Sequence, residues 1–391
     1  GAGPDRRTAT AVTGRVPRNA QPLWNIGAQE YVSLFHDGRV EWFEDGTQMR
    51  TPAGDDLPSG VSDLLVAQAF FPVTSAIEMA GQFGENPVAD AAFTEARPEV
   101  WRLLAARVAA VPGYLDMLRE PYPAVTPPQD VTYTHLAEAL AAFQTVAFRS
   151  DESPFDAVLR SGDLSILSEA AKEGMSLFYG RAHCASCHGG ALLTDHAFHA
   201  IAMPQIGPGK GHGRDFSYIA ETGLAGRTED EGRYRVSRDP DDLFAFRTPS
   251  LRNVALTGPW GHGGAFDDLE EMVRHHLDPV RSLQSFDAST VDLPPLDQVM
   301  RLSGRGSELG YAPLDSGQKA AFDLRDTWVM QSSTLRTRIA AENDLPTIHL
   351  TDEEVRQLVA FLDTLTDPSA PDRSHIVPLT VPSGLAPQPA R

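Results

Sequence analysis

Cysteine is nearly missing from this chain, with Cys184 and Cys187 the only two in 391 residues. That excludes a disulfide framework, and it leaves a thiolate zinc site two ligands short. No run of apolar residues approaches the ~20 that span a bilayer. Basic residues are outnumbered, 33 Lys and Arg against 53 Asp and Glu, for a formal charge of −20. Such a balance argues against nucleic acid and anionic membranes as partners and favours a basic partner protein. The opening Gly1-Ala-Gly-Pro-Asp-Arg-Arg7 lacks the apolar segment of a signal peptide. Sustained strand alternation and fixed-period repeats are missing too. The expected fold is mainly α, with long loops and little β.

Against these absences stand 32 glycines and 30 prolines, about 16% of the chain where about 12% is usual. Ordered loops around a large cofactor would produce that excess. The length suits two domains. The polar, proline-bearing stretch Ser150-Asp-Glu-Ser-Pro-Phe155 is the expected boundary, giving units 1–152 and 153–391.

Helices are expected over Ser62–Phe70, capped by Ser62; over Pro98–Val111, ended by Pro112-Gly113; and over Thr134–Phe148, with Leu136, Leu140, Phe143 and Ala147 on one stripe. In the second unit, Ser168 caps a helix reaching Phe178, a short helix runs from Leu269 to Leu277, and Thr351 with Glu354 forms a capping box.

The two cysteines lie in Arg181-Ala-His-Cys-Ala-Ser-Cys-His-Gly-Gly190. C-x-x-C-H is the c-type haem attachment signature: two thiols bond the haem vinyl groups and the next imidazole reaches the iron. A disulfide or a thioredoxin-type C-x-x-C leaves His188 unexplained. Cys184, Cys187 and His188 are therefore the expected haem c ligands. Covalent haem attachment follows export, so a periplasmic or secreted location is expected, with the chain read as a processed or truncated form.

Further stretches carry a resemblance. Gly174 to Gly190, Leu193 to His199, Phe246 to His262 and Phe266 to Val273, together with Arg18-Asn-Ala20 and Phe35-His-Asp-Gly-Arg39, are similar to the bacterial di-haem cytochrome c peroxidase and MauG family over nearly the whole chain. The resemblance implies two cytochrome c-like haem domains and a peroxidase-type oxidoreductase that uses hydrogen peroxide. It would oxidise an electron-donor cytochrome or cupredoxin, or a side chain of a protein substrate. The His188 haem would be the electron-transfer centre.

Gln68 and Glu78 fall where the family has its distal glutamine and catalytic glutamate. A carboxylate there could move a proton between peroxide oxygens. The resemblance also implies an interdomain calcium held by oxygen donors, for which Asn25 or Asn19 is the candidate.

Three departures accompany it. No C-x-x-C-H precedes Arg18, so the second haem is either attached upstream or lost. His36 replaces the family's inter-haem tryptophan, leaving His36, Trp42 or Trp24 as relay. Gly261 stands where a distal methionine or tyrosine is expected, which nominates His262 first and then Met203, His212 or His199 as sixth ligand, or else an open site. The competing reading is a single-haem electron carrier or redox sensor with a degenerate N-terminal domain.

Overall fold

A computed structural model describes residues 14–43, 46–207, 209, 229–291, 293 and 299–387. The architecture is mainly helical, with three small antiparallel sheets among the described residues. In the N-terminal half, strands Ser33–Leu34, Val40–Trp42 and Met49–Arg50 precede helices Leu64–Gln68, Pro87–Phe93, Arg97–Ala109, Pro112–Arg119 and Tyr133–Ala147. Phe70 centres their core. Its ring meets those of Trp101 and Tyr133 edge-on, at 5.0 Å each. Trp101 Nε1 donates to the Phe70 carbonyl at 2.9 Å and the Tyr133 hydroxyl to the Ala69 carbonyl at 3.0 Å. Large rings are thus buried without stranding their polar atoms.

Three local expectations need correction. The first helix is capped by Asp63, whose carboxylate accepts from the Leu65 and Val66 amides; Ser62 lies one residue too early. Pro112 opens a further helix, Pro112–Arg119, in addition to following the end of Arg97–Ala109, because proline suits a first helical position. In Tyr133–Ala147 the buried face is Tyr133, Ala137 and Ala141. Leu140 and Phe143, expected to face inward, are about half exposed. Small residues face inward because this helix lies close against its neighbours.

The second half is built on the helix Glu169–Tyr179 crossing the helix Asp352–Asp363. Gly174 marks the crossing: a Cβ there would stand 1.8 Å from the Gln357 carbonyl oxygen. Phe155, Phe178 and Phe361 pack around it. Ser168 caps the first helix and the Thr351–Glu354 box caps the second, as the sequence implied. The helix Leu269–Leu277 also has its expected bounds. Unforeseen was an outer module: the hairpin Met300–Ser303/Gly310–Pro313, then helices Ser316–Leu324, Trp328–Gln331 and Ser333–Ala341. The last two helices pack around Met330 and Ile339.

In the polar stretch after Arg149, Ser150, Ser153 and Asp156 are buried, while Glu152 stays exposed. Ser150 exchanges backbone hydrogen bonds with the Asn25 amide at 2.7 and 2.8 Å, and its hydroxyl accepts from Asn253 at 2.8 Å. Arg252 meets both carboxylate oxygens of Asp156 at 2.8 Å. This knot joins the two halves and fixes the start of the second beside the loop 246–262.

Candidate haem site

Helix Glu169–Tyr179 ends at Gly180, and the chain turns through His183, at φ 55°, into a single tight turn, Cys184–Ser186. The His188 amide donates to the Cys184 carbonyl at 2.9 Å, so both thiols and the imidazole leave one compact loop. His188 Nδ1 lies 3.1 Å from the Leu193 carbonyl. A carbonyl can only accept, so Nδ1 carries the proton and Nε2 presents its lone pair, as a metal-bound histidine requires. Burial, then the neighbouring His276, lowers the His188 pKa to about 4, which keeps the ring neutral. Burial also pushes the Cys184 thiol up to about 11 and raises that of Cys187. Neutral thiols suit addition across a vinyl group.

These three residues open onto a large, mainly apolar cavity. Phe178, Leu358 and Leu362 form one wall, Met203, Trp260, Gly261 and His262 another, and Leu269, Met272, Val273 and His276 a third. Asn19, Ala20, Pro22 and His36 from the N-terminal half complete it. The donor set fits haem c: two thiols, one oriented imidazole and a broad apolar chamber are what a covalently held porphyrin needs. Haem bound there would supply a one-electron redox centre.

The sequence-nominated residues divide between this cavity and elsewhere. His36 reaches it, with Nε2 3.1 Å from the Asn19 carbonyl and its own carbonyl accepting from the Arg247 amide at 2.8 Å. Burial, followed by the positive Arg18, lowers its pKa to about 3. Arg18 itself is buried between Asp37 and Asp230, at 2.6 Å each. Burial alone would depress its pKa, but the two carboxylates override this and raise it. His262 stacks face to face on Phe246, 3.8 Å between centres and 10° between planes. Its Nδ1 is buried with no hydrogen-bond partner among the described residues. His199 also lines the cavity, with Nε2 2.8 Å from Asp195. Met203 packs against Gly261, where a built Cβ would meet its sulfur at 2.9 Å. His212 lies outside the described residues.

Trp42 sits on the strand Val40–Trp42 and packs on the N-terminal core, away from the cavity. Trp24 stacks edge-on with Phe148 and also stands outside it. Gln68 ends the helix Leu64–Gln68 and is half-buried. Glu78 is exposed on a wide π-type turn, Ala76–Ala80, a geometry frequent at functional sites. Neither lines the His188 cavity. Asn25 has committed both amide atoms to Ser150, whereas Asn19 donates to the Pro259 carbonyl at 2.8 Å.

One residue escaped the sequence reading. His276 lines the cavity with its ring centre 6.3 Å from that of His188. The signal was present: Leu269, Met272, Val273 and His276 follow helical i, i+3, i+4, i+7 spacing, so an inward face for the first three implied one for His276.

Comparison with known proteins gives consistent matches. A family model described as di-haem cytochrome c peroxidase matches residues 2–163, the half without the C-x-x-C-H. The methylamine utilization protein MauG of Methylorubrum extorquens is 32% identical over 218 residues, 56% of this chain and 50% of that protein. The cytochrome-c peroxidase IdrP1 of Pseudomonas sp. (strain SCT) is 32% identical over 180 residues, 43% of this chain and 45% of its own. The chain spans about half the length of the curated relatives it matches.

Among solved structures, a MauG-like protein associated with microbial copper homeostasis superposes with a TM-score of 0.53 at 23% identity, covering 92% of this chain and 80% of that one. The diheme peroxidase BthA of Burkholderia thailandensis gives 0.51 at 22%, covering 99% and 81%. These two likenesses speak for the fold.

Proposed function

This chain belongs to the di-haem cytochrome c peroxidase/MauG family, and from that premise we propose that it is a c-type haem oxidoreductase driven by hydrogen peroxide. The Cys184/Cys187/His188 haem serves as its electron-transfer centre. The observation that carries the reading is the shared cavity: the haem-attachment loop and His36 of the other half line one chamber. An electron can therefore cross between halves without leaving the protein.

His36 is the proposed relay. Held neutral by burial and by Arg18, it bridges the halves by its contacts to Asn19 and Arg247. Gln68 and Glu78 are proposed to face a second, peroxide-reacting haem, where exposed Glu78 can take up and release a proton at its carboxylate. A calcium ion between the halves would be held by the amide oxygen of Asn19 or of Asn25; the Asn25 oxygen accepts one bond, from the Ser150 amide, and keeps a second lone pair. The electron source is a donor protein or an oxidisable side chain of a protein substrate, met in the periplasm or outside the cell. The net charge of −20 favours a basic partner.

Haem stoichiometry and peroxide response of the full natural polypeptide test this. Two haems by pyridine haemochrome, with Soret and near-infrared changes on adding peroxide, are expected. One haem and a spectrum inert to peroxide would replace this reading with the single-haem carrier.

A further inference from the structure

Two histidines end the helix Leu269–Leu277, and they are used differently. His275 is fully buried with both nitrogens occupied: Nδ1 lies 3.0 Å from the Ser282 hydroxyl and Nε2 2.9 Å from the Ile201 carbonyl. Its role is to hold the helix against the 201–206 segment. Among the described residues His276 bonds through one nitrogen, Nδ1, 2.9 Å from the Met272 carbonyl. That carbonyl fixes the proton on Nδ1 and leaves Nε2 with a free lone pair, the arrangement already seen at His188.

We infer that His276 is the sixth ligand of the His188 haem, making it a bis-histidine centre. The separation of the two rings supports this directly. Two imidazoles on opposite faces of one metal, with metal–nitrogen bonds of about 2.0 Å and ring centres roughly 1.1 Å behind each nitrogen, stand about 6.2 Å apart. The observed separation is 6.3 Å. The 61° between the ring planes is no obstacle, because each ring can rotate about its own metal bond.

The other candidates are less well prepared. Buried His262 has no partner on Nδ1 to fix its tautomer, and its face is covered by Phe246. His199 has Nε2 on Asp195. Met203 packs with Ala265 and Phe266 against the Gly261 turn.

The inference deepens the proposed function and rests on haem occupying this cavity. Two histidines give a lower potential than a histidine–methionine pair and close the iron to peroxide. This haem would then pass electrons without reacting with the oxidant.

The test is spectroscopic, on the ferric holoprotein without peroxide, so it stands apart from turnover. The His188 haem should be low-spin and show no methionine-to-iron charge-transfer band in the near infrared. H276M should introduce that band and raise the midpoint potential. H276G should convert this haem to a high-spin form that returns to low-spin on adding imidazole. M203L should leave the spectrum unchanged. A methionine band in the natural protein that M203L abolishes would overturn the assignment. So would a low-spin spectrum that survives H276G. A protein that ignores peroxide yet follows the predicted ligand series would overturn the proposed function and leave His276 in place.

Discussion

The two halves each end in a long helix, Tyr133–Ala147 and Asp352–Asp363, but the helices are covered differently. The second is crossed at Gly174 by the helix that delivers the haem loop, and Val355, Leu358, Phe361 and Leu362 are buried. The first buries Tyr133, Ala137 and Ala141 and leaves Leu140, Phe143 and Val146 exposed, the last at 79%. The difference shows that a helix's buried face is chosen by its partners and not by its most apolar stripe.

The largest effect should come from the haem loop. Replacing both Cys184 and Cys187 by Ser is expected to abolish covalent haem at this site, read as loss of its mass increment in the denatured protein. Loss of every haem on that change would break the comparison by leaving the N-terminal half with none.

Next is the joint. Arg252→Met leaves the Asp156 carboxylate buried without its cation, at a cost of about 3–5 kcal/mol. Denaturant melts should show it. Gly174→Ala forces a Cβ onto the Gln357 carbonyl, and overpacking of this kind costs about 1–3 kcal/mol. Leu140→Ala, on the uncovered face of the first helix, should stay within about 0.5 kcal/mol. Equal losses at Gly174 and Leu140 would mean that both helices are covered.

A smaller effect concerns pH. Burial lowers His36 to about 3 and His262 to about 4, against about 6.5 in an unfolded chain. The unfolded state therefore binds more protons between these limits, and stability falls as pH drops from about 6.5 towards about 4. It is unaffected by these groups above that window. His36→Gln should flatten the slope of melting temperature across it, and an unchanged slope would remove His36 as a contributor.

The sequence announced the haem loop and the helices flanking it because their signals are local. C-x-x-C-H is a contiguous motif, while Ser168 and the Thr351–Glu354 box act within three residues of the helix they begin. What escaped depends on residues far apart in the chain. The inward face of Tyr133–Ala147 is set by helices it touches, and Asn25 is committed to Ser150 across 125 positions. His276 was a case of a local signal left unused, since its helix was foreseen but its cavity-facing spacing was not followed to the last turn.

The knot of Asn25, Ser150, Asp156, Arg252 and Asn253 has a kinetic meaning beyond its stabilising one. It is buried, multiply bonded and placed where the halves meet, so swinging the halves apart would expose paired charges and unmade hydrogen bonds. Electron tunnelling falls off steeply with distance, and a joint of this kind holds that distance constant. If electrons pass between the halves as proposed, the rate of that transfer would be set by driving force and by the medium in between, and solvent viscosity should leave it unchanged.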